Sequence, residues 1–117
     1  MHEFSICQSL VDAALEEFRR IEPTPERITR VRVVAGRLHQ LVPEFLQSAY
    51  EVLTKDTPAE GSEMELRLVP VTGRCTACGW EGEIEPPVFQ CAGCGAFAIE
   101  LCGGKELYLD QMEIEER

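Results

Sequence analysis

Apolar side chains recur at four-residue steps near the start of the chain: Ile6, Leu10, Ala14 and Phe18, with Cys7, Val11 and Ile21 beside them. Glu16, Glu17, Arg19 and Arg20 fall largely on the opposite side, so the pattern predicts an amphipathic helix over residues 4 to 21. Pro23 and Pro25 end it, because proline cannot continue the helical hydrogen-bond ladder. From residue 27 the period shortens to two. Val31, Val33 and Ala35 alternate with Arg30, Arg32 and Val34, which predicts a strand over 27 to 36 closed by Gly36. A loop over 37 to 42 leads to Pro43, a residue suited to the first position of a helix. Leu46, Ala49, Tyr50 and Leu53 then carry a second, shorter helix. Residues 54 to 62 are a loop by composition. Alternation returns over 63 to 71, with Met64, Leu66 and Leu68 on one face and Glu65 and Arg67 on the other. In a last strand over 105 to 115, Leu107 and Leu109 share a face but Met112 and Ile114 fall out of phase. One extra residue near Asp110-Gln111, a β-bulge, restores the pattern.

Between the last two strands the apolar periodicity gives way to cysteine. Cys75-Thr76-Ala77-Cys78-Gly79 and Cys91-Ala92-Gly93-Cys94-Gly95 place two Cys-x-x-Cys pairs twelve residues apart. Four thiolates at this spacing can converge on one tetrahedral ion, at about 2.3 Å for zinc. The glycine after each pair permits the positive φ of a metal-binding knuckle. All four positions are cysteine, so no coordination site stays open for a substrate, and the expected site is structural. Iron fits the same geometry, and the ligands alone do not separate the two metals. Two disulfides or four buried thiols are the bland alternatives. No secretory segment argues for an oxidising compartment, and the expectation is a cytoplasmic protein with reduced thiols.

The resulting fold class is α+β: a three-stranded sheet with two helices, plus an inserted four-cysteine zinc-ribbon module. The domains expected are 1–72 with 105–117, and 73–104. An insertion whose ends lie close together favours antiparallel pairing of 63–71 with 105–115.

Charge narrows the partners. Asp and Glu number 21 against 11 Lys and Arg, a formal net charge of −10. That balance argues against nucleic acid, for which a basic footprint is expected. No apolar run approaches the ~18 residues of a membrane-spanning helix. No catalytic triad, phosphate loop or open metal site is visible, so no enzyme is expected.

His2 is the second residue. If Met1 keeps a free amine, that amine, the backbone nitrogen of residue 2 and the ring Nδ1 of His2 can form fused chelate rings on three corners of a square plane. Such nitrogen and oxygen donors favour Ni(II) or Cu(II). A fourth donor can come from the backbone nitrogen or the carboxylate of Glu3.

These residues carry a resemblance. Met1-His2-Glu3-Phe4-Ser5-Ile6 resembles the Met-His-Glu-Leu-Ser-Ile opening of the HypA/HybF family, nickel metallochaperones of [NiFe]-hydrogenase maturation. Gly36 to Tyr50 resembles the family's loop and second helix, the paired cysteines its zinc domain, and Gly104-Lys105-Glu106-Leu107 the start of its last strand. The resemblance spans essentially the whole chain. It implies nickel held at Met1, His2 and Glu3, with His2 as anchor, and structural zinc at Cys75, Cys78, Cys91 and Cys94. The implied partners are a HypB-like maturation GTPase, the hydrogenase large subunit and, in some members, urease maturation. Phe4 departs from the family's commoner leucine, and Cys102 has no counterpart there. Cys102 is expected as a buried thiol, Cys7 as a core residue and His39 as a surface histidine. A rubredoxin-like iron electron carrier and a zinc-ribbon interaction module remain as rivals.

Overall fold

The computed structural model describes residues 2–117; Met1, one of the expected nickel donors, lies outside the described residues. The chain divides into two units. One comprises Met1–Val34, Leu41–Arg67 and Tyr108–Arg117, the other Ala35–Gln40 and Leu68–Leu107.

In the first unit, helix α1 spans Glu3–Arg20. Its buried stripe is Cys7, Leu10, Val11, Ala14, Leu15 and Phe18, the face marked by the four-residue spacing. Arg19 and Arg20 occupy the last turn, where cations complement the helix dipole. Strand β1 spans Arg27–Gly36, a short 3-10 turn covers Arg37–His39, and helix α2 spans Pro43–Thr54 with Pro43 opening its first turn. Ile28, Val31 and Val33 of β1 and Leu46, Ala49 and Tyr50 of α2 complete the core. The valine, leucine and isoleucine side chains among these each contribute roughly 1.5–3 kcal/mol by leaving water. Val34, expected on the polar face, is also buried.

Strands β2 (Glu63–Val69) and β6 (Leu107–Glu115) flank it in the order β2-β1-β6. The expected pairing of 63–71 with 105–115 is therefore corrected. Arg30 meets Glu63 at 3.3 Å and Arg32 meets Glu65 at 3.5 Å, so β1 and β2 advance in the same direction, with α2 as the crossover between them. Arg27 meets Glu115, and Thr29 Oγ1 donates to the Glu113 carbonyl at 3.2 Å, so β6 runs the opposite way. Charge agrees with the order. Both outer strands carry glutamates on this face, and setting them side by side would oppose carboxylates. The arginines of β1 separate them. Along β6 the exposure switches phase at Asp110-Gln111, where the sequence pattern slips.

The second unit holds a small sheet. β3 (Thr72–Cys75) lies between β4 (Glu81–Glu83) and β5 (Ile99–Gly103), antiparallel to both. The run expected as one strand over 63–71 stops at Val69, because Pro70 offers no N–H to a ladder. Val71 and Ile84 are buried, and the Ile84 amide donates to the Val71 carbonyl at 2.8 Å. Gly36 donates to the Glu106 carbonyl at 2.6 Å, and a Cβ on Gly36 would lie 1.9 Å from the Gly104 oxygen. Only glycine permits that approach.

Candidate metal sites

The four-cysteine cluster rests on two knuckles of the same construction. In the first, the Cys75 amide donates to the Trp80 carbonyl at 2.7 Å and the Gly79 amide to the Cys75 carbonyl at 2.9 Å. In the second, Cys91 donates to Ala96 at 2.9 Å and Gly95 to Cys91 at 3.0 Å. Each turn closes through a glycine at positive φ, 82° at Gly79 and 78° at Gly95. Gly79 meets no neighbour where a Cβ would stand, so backbone conformation, and not space, calls for glycine there.

The sulfurs converge. All four lie within 4.8 Å of one another, with Cys75–Cys94 at 3.7 Å and Cys78–Cys91 at 3.5 Å. A disulfide would bring two of them to about 2.05 Å. A tetrahedron with 2.3 Å metal–sulfur bonds has edges of about 3.8 Å, so the cluster fits one ion. The amides of Gly93 and Cys94 point at Cys91 Sγ, at 3.2 and 3.3 Å. Such bonds favour a thiolate. Burial alone would raise the Cys91 thiol, but the Cys94 and Gly93 amides and the Cys78 and Cys94 thiols outweigh it and bring it down to about 6. At Cys78 the Trp80 amide pulls downward, yet the neighbouring thiols and burial together push it up to about 12. Cys91 thus gives up its proton far more readily than Cys78, and binding a cation displaces the protons that remain.

The other cysteines stand apart from this cluster. Cys7 is fully buried, as expected, and burial pushes its thiol up to about 11. Cys102 is exposed on β5 with its Sγ 3.7 Å from the Glu100 carbonyl, which corrects the expectation of a buried thiol. Strand alternation turns its side chain outward, between the half-buried Leu101 and Gly103. His39 is half-buried, its Nε2 3.1 Å from the Lys105 carbonyl.

At the opposite end of the chemistry, His2 is exposed and occupies the N-cap of α1. Its carbonyl accepts the Ile6 amide at 3.1 Å and the Ser5 hydroxyl at 3.1 Å. The helical ladder makes no demand on the N–H groups of its first turn, so the His2 amide is not committed to that ladder. Glu3, adjacent to it, is only 3% exposed. Its Oε2 accepts the Val42 amide at 2.9 Å. Val42 is the N-cap of α2 and makes no side-chain cap of its own. Sequence reasoning missed that contact, although a valine before Pro43 signals an uncapped helix start in need of an acceptor. Around Glu3, Phe4, Phe45 and Val52 are more than half exposed and line an open groove with Ser48 and Ala49.

A profile of the family described as "Hydrogenase/urease nickel incorporation, metallochaperone, hypA" matches residues 1–114. The chain is 38% identical over 119 residues to the hydrogenase maturation factor HypA of Solidesulfovibrio magneticus, covering 98% of this chain and 100% of the relative. It is 36% identical over 115 residues to the factor of that name from Geobacter sp. (strain M21), with 98% and 100% covered. In fold it is similar to the solution structure of the Ni metallochaperone HypA from Helicobacter pylori, with a TM-score of 0.65, 20% identity and 100% of both chains covered.

Proposed function

The chain belongs to the HypA family, and from that premise we propose that it captures Ni(II) at its N-terminus and delivers it during maturation of nickel–iron hydrogenase. Met1, His2 and Glu3 hold the cargo, and Cys75, Cys78, Cys91 and Cys94 hold a structural zinc. The nickel-binding part is 1–72 with 105–117, and the zinc-binding part is 73–104. The observation that carries this reading is the contrast between an exposed His2 at a helix start and a closed set of four sulfurs.

The chelate forms from the Met1 amine, the His2 amide nitrogen and the His2 imidazole. The helix begins at Glu3, so its positive end favours a deprotonated, anionic amide. The fourth position falls to the backbone nitrogen or the carboxylate of Glu3. Few donors at an exposed terminus release an ion more readily than a cage of four thiolates. The zinc supplies folding energy and no open position, so the chain performs no catalysis of its own. A HypB-like GTPase, the hydrogenase large subunit and urease maturation proteins are the partners, all in the cytoplasm. The apolar side chains of Phe4, Phe45 and Val52 beside Glu3 support docking at this end.

Nickel titration by calorimetry tests the reading, with zinc measured throughout. The native chain is expected to gain about one nickel without losing zinc. His2→Ala and an N-terminal extension are each expected to weaken nickel by at least about a hundredfold, through loss of a chelate donor, with zinc unchanged. Stoichiometric replacement of zinc by nickel would mean a single site. Native-like nickel affinity in the extended form excludes the amine chelate.

A further inference from the structure

We propose that Trp80 is a positioning residue of the four-cysteine site: its indole bridges the two knuckles and holds in place the turn whose Gly93 amide is aimed at Cys91 Sγ, which slows loss of the ion. This inference rests on the structural-zinc reading above and names a group, other than the four ligands, on which that site depends.

Trp80 serves both knuckles at once. Its backbone belongs to the first, where its carbonyl accepts the Cys75 amide at 2.7 Å and its own amide donates to Cys78. Its side chain reaches the second. A Cβ on Gly93 would lie 3.6 Å from Trp80 Cβ and Cδ1, and the same distance from Cys91 Sγ. The indole and the sulfur therefore border the same side of Gly93, whose amide donates to that sulfur at 3.2 Å. The far edge of the ring lies over β4. A Cβ on Gly82 would stand 2.7 Å from Trp80 Cζ2 and 3.1 Å from Cη2. Gly82 lacks the positive φ that calls for glycine at Gly79 and Gly95. Here the ring itself calls for it, since any side chain would strike the indole in a close-packed contact.

The bridge is built from one side. The equivalent position in the second knuckle is Ala96, whose carbonyl accepts the Cys91 amide at 2.9 Å. A methyl group offers no ring to lay back across the first knuckle. The consequence is kinetic. Thiolates let go of an ion one after another, and a detached thiolate held beside the site re-engages at high effective concentration. Cys91 and Cys94 share one turn, and the indole keeps that turn against the first knuckle by a contact that outlasts a broken metal–sulfur bond. Groups that orient metal ligands commonly change metal affinity by about 10–100-fold when mutated.

Zinc release into an excess of a chromophoric chelator tests this on the full-length, zinc-loaded chain. Trp80→Ala is expected to release zinc at least about tenfold faster than the native chain. Trp80→Phe keeps a ring beside Gly93 and is expected to stay within about threefold. Gly82→Ala keeps the tryptophan but pushes its ring aside. It is expected to speed release at least about threefold and to shift the emission of the chain's single tryptophan. Cobalt(II) in place of zinc gives the same thiolate-to-metal absorption in all four proteins, because the donors are untouched. Ile84→Val trims the buried core of the same unit away from the knuckles, and its release stays near native. Native-like release in Trp80→Ala, release in Trp80→Phe as fast as in Trp80→Ala, or an altered cobalt spectrum in either would overturn the positioning role. An equal acceleration in Ile84→Val would reduce Trp80 to general stabilisation of the unit and overturn it too. Should Trp80→Ala fail to fold, Gly82→Ala decides: native-like release together with a shifted emission overturns the role. A native chain that holds no zinc would overturn the zinc reading itself, an outcome distinct from native zinc whose release ignores Trp80.

Discussion

The two proposed metal regions of this chain are built on opposite principles. The four-cysteine cluster takes its donors from side chains, with two sulfurs buried and two exposed, and positions them by paired hydrogen-bonded turns. The amino terminus takes most of its proposed donors from the backbone, and positions them by starting a helix at once. A cage of side chains is closed and retains its ion. A backbone chelate at a chain end has one open side and depends on chain position as much as on residue type. On the proposed reading, retention and release are separated by donor type within 117 residues.

The comparison breaks most visibly at the cluster. Cys78→Ala or Cys91→Ala is expected to lose zinc and disorder residues 74 to 102, because zinc-binding energy on the order of 10–16 kcal/mol is folding energy for such a module. Helix α1 survives, since its buried stripe belongs to the first unit, and nickel uptake persists with it. Elemental analysis beside helix-region circular dichroism checks both halves; full zinc content in either variant ends the assignment.

Acid sharpens the difference less drastically. Protons compete for the amine, the imidazole and any deprotonated amide, so nickel affinity is expected to drop by at least about tenfold per pH unit on acidification below neutrality. Zinc content stays constant over the interval from pH 7.5 to pH 6.5, with ~1 zinc per chain retained by four thiolates. Parallel loss of both metals in that interval would show that they share ligands.

The smallest effects concern the cysteines that belong to neither site. Cys7→Ala leaves a gap beside Leu10 and Leu46, and is expected to cost about 1–2 kcal/mol of stability in denaturant melts with both metals unchanged. Cys102→Ser, at an exposed position, should stay within about 0.5 kcal/mol of the native chain. A fall in zinc content in Cys102→Ser would make it an alternative ligand after all.

Periodicity made α1, β1 and α2 legible, because each hides one face and the apolar positions repeat with the element's own period. The cluster was legible for a different reason: Cys-x-x-Cys spacing and the glycine after it encode a local turn. Strand order was not legible. Whether β2 lies next to β6 or to β1 depends on contacts between residues far apart, among them the facing charges of Arg30, Arg32, Glu63 and Glu113. Pro70 was a local signal for the break between β2 and β3, outweighed by the alternation running up to it. Glu3 was hidden most thoroughly. An acidic residue in a first turn reads as a partner for the helix dipole, and nothing local marks it as buried against Val42.

The arginine row on β1 has one more consequence, for life in a crowded solution. β2 and β6 are the open margins of their sheet, and an open margin is a template on which a second chain can continue the sheet into an aggregate. Here the glutamates of both margins lean inward onto Arg27, Arg30 and Arg32. A second copy arriving edge to edge would meet acid with acid and find the neutralising guanidinium groups already engaged one strand away. The charges that pair across the strands also discourage the sheet from growing.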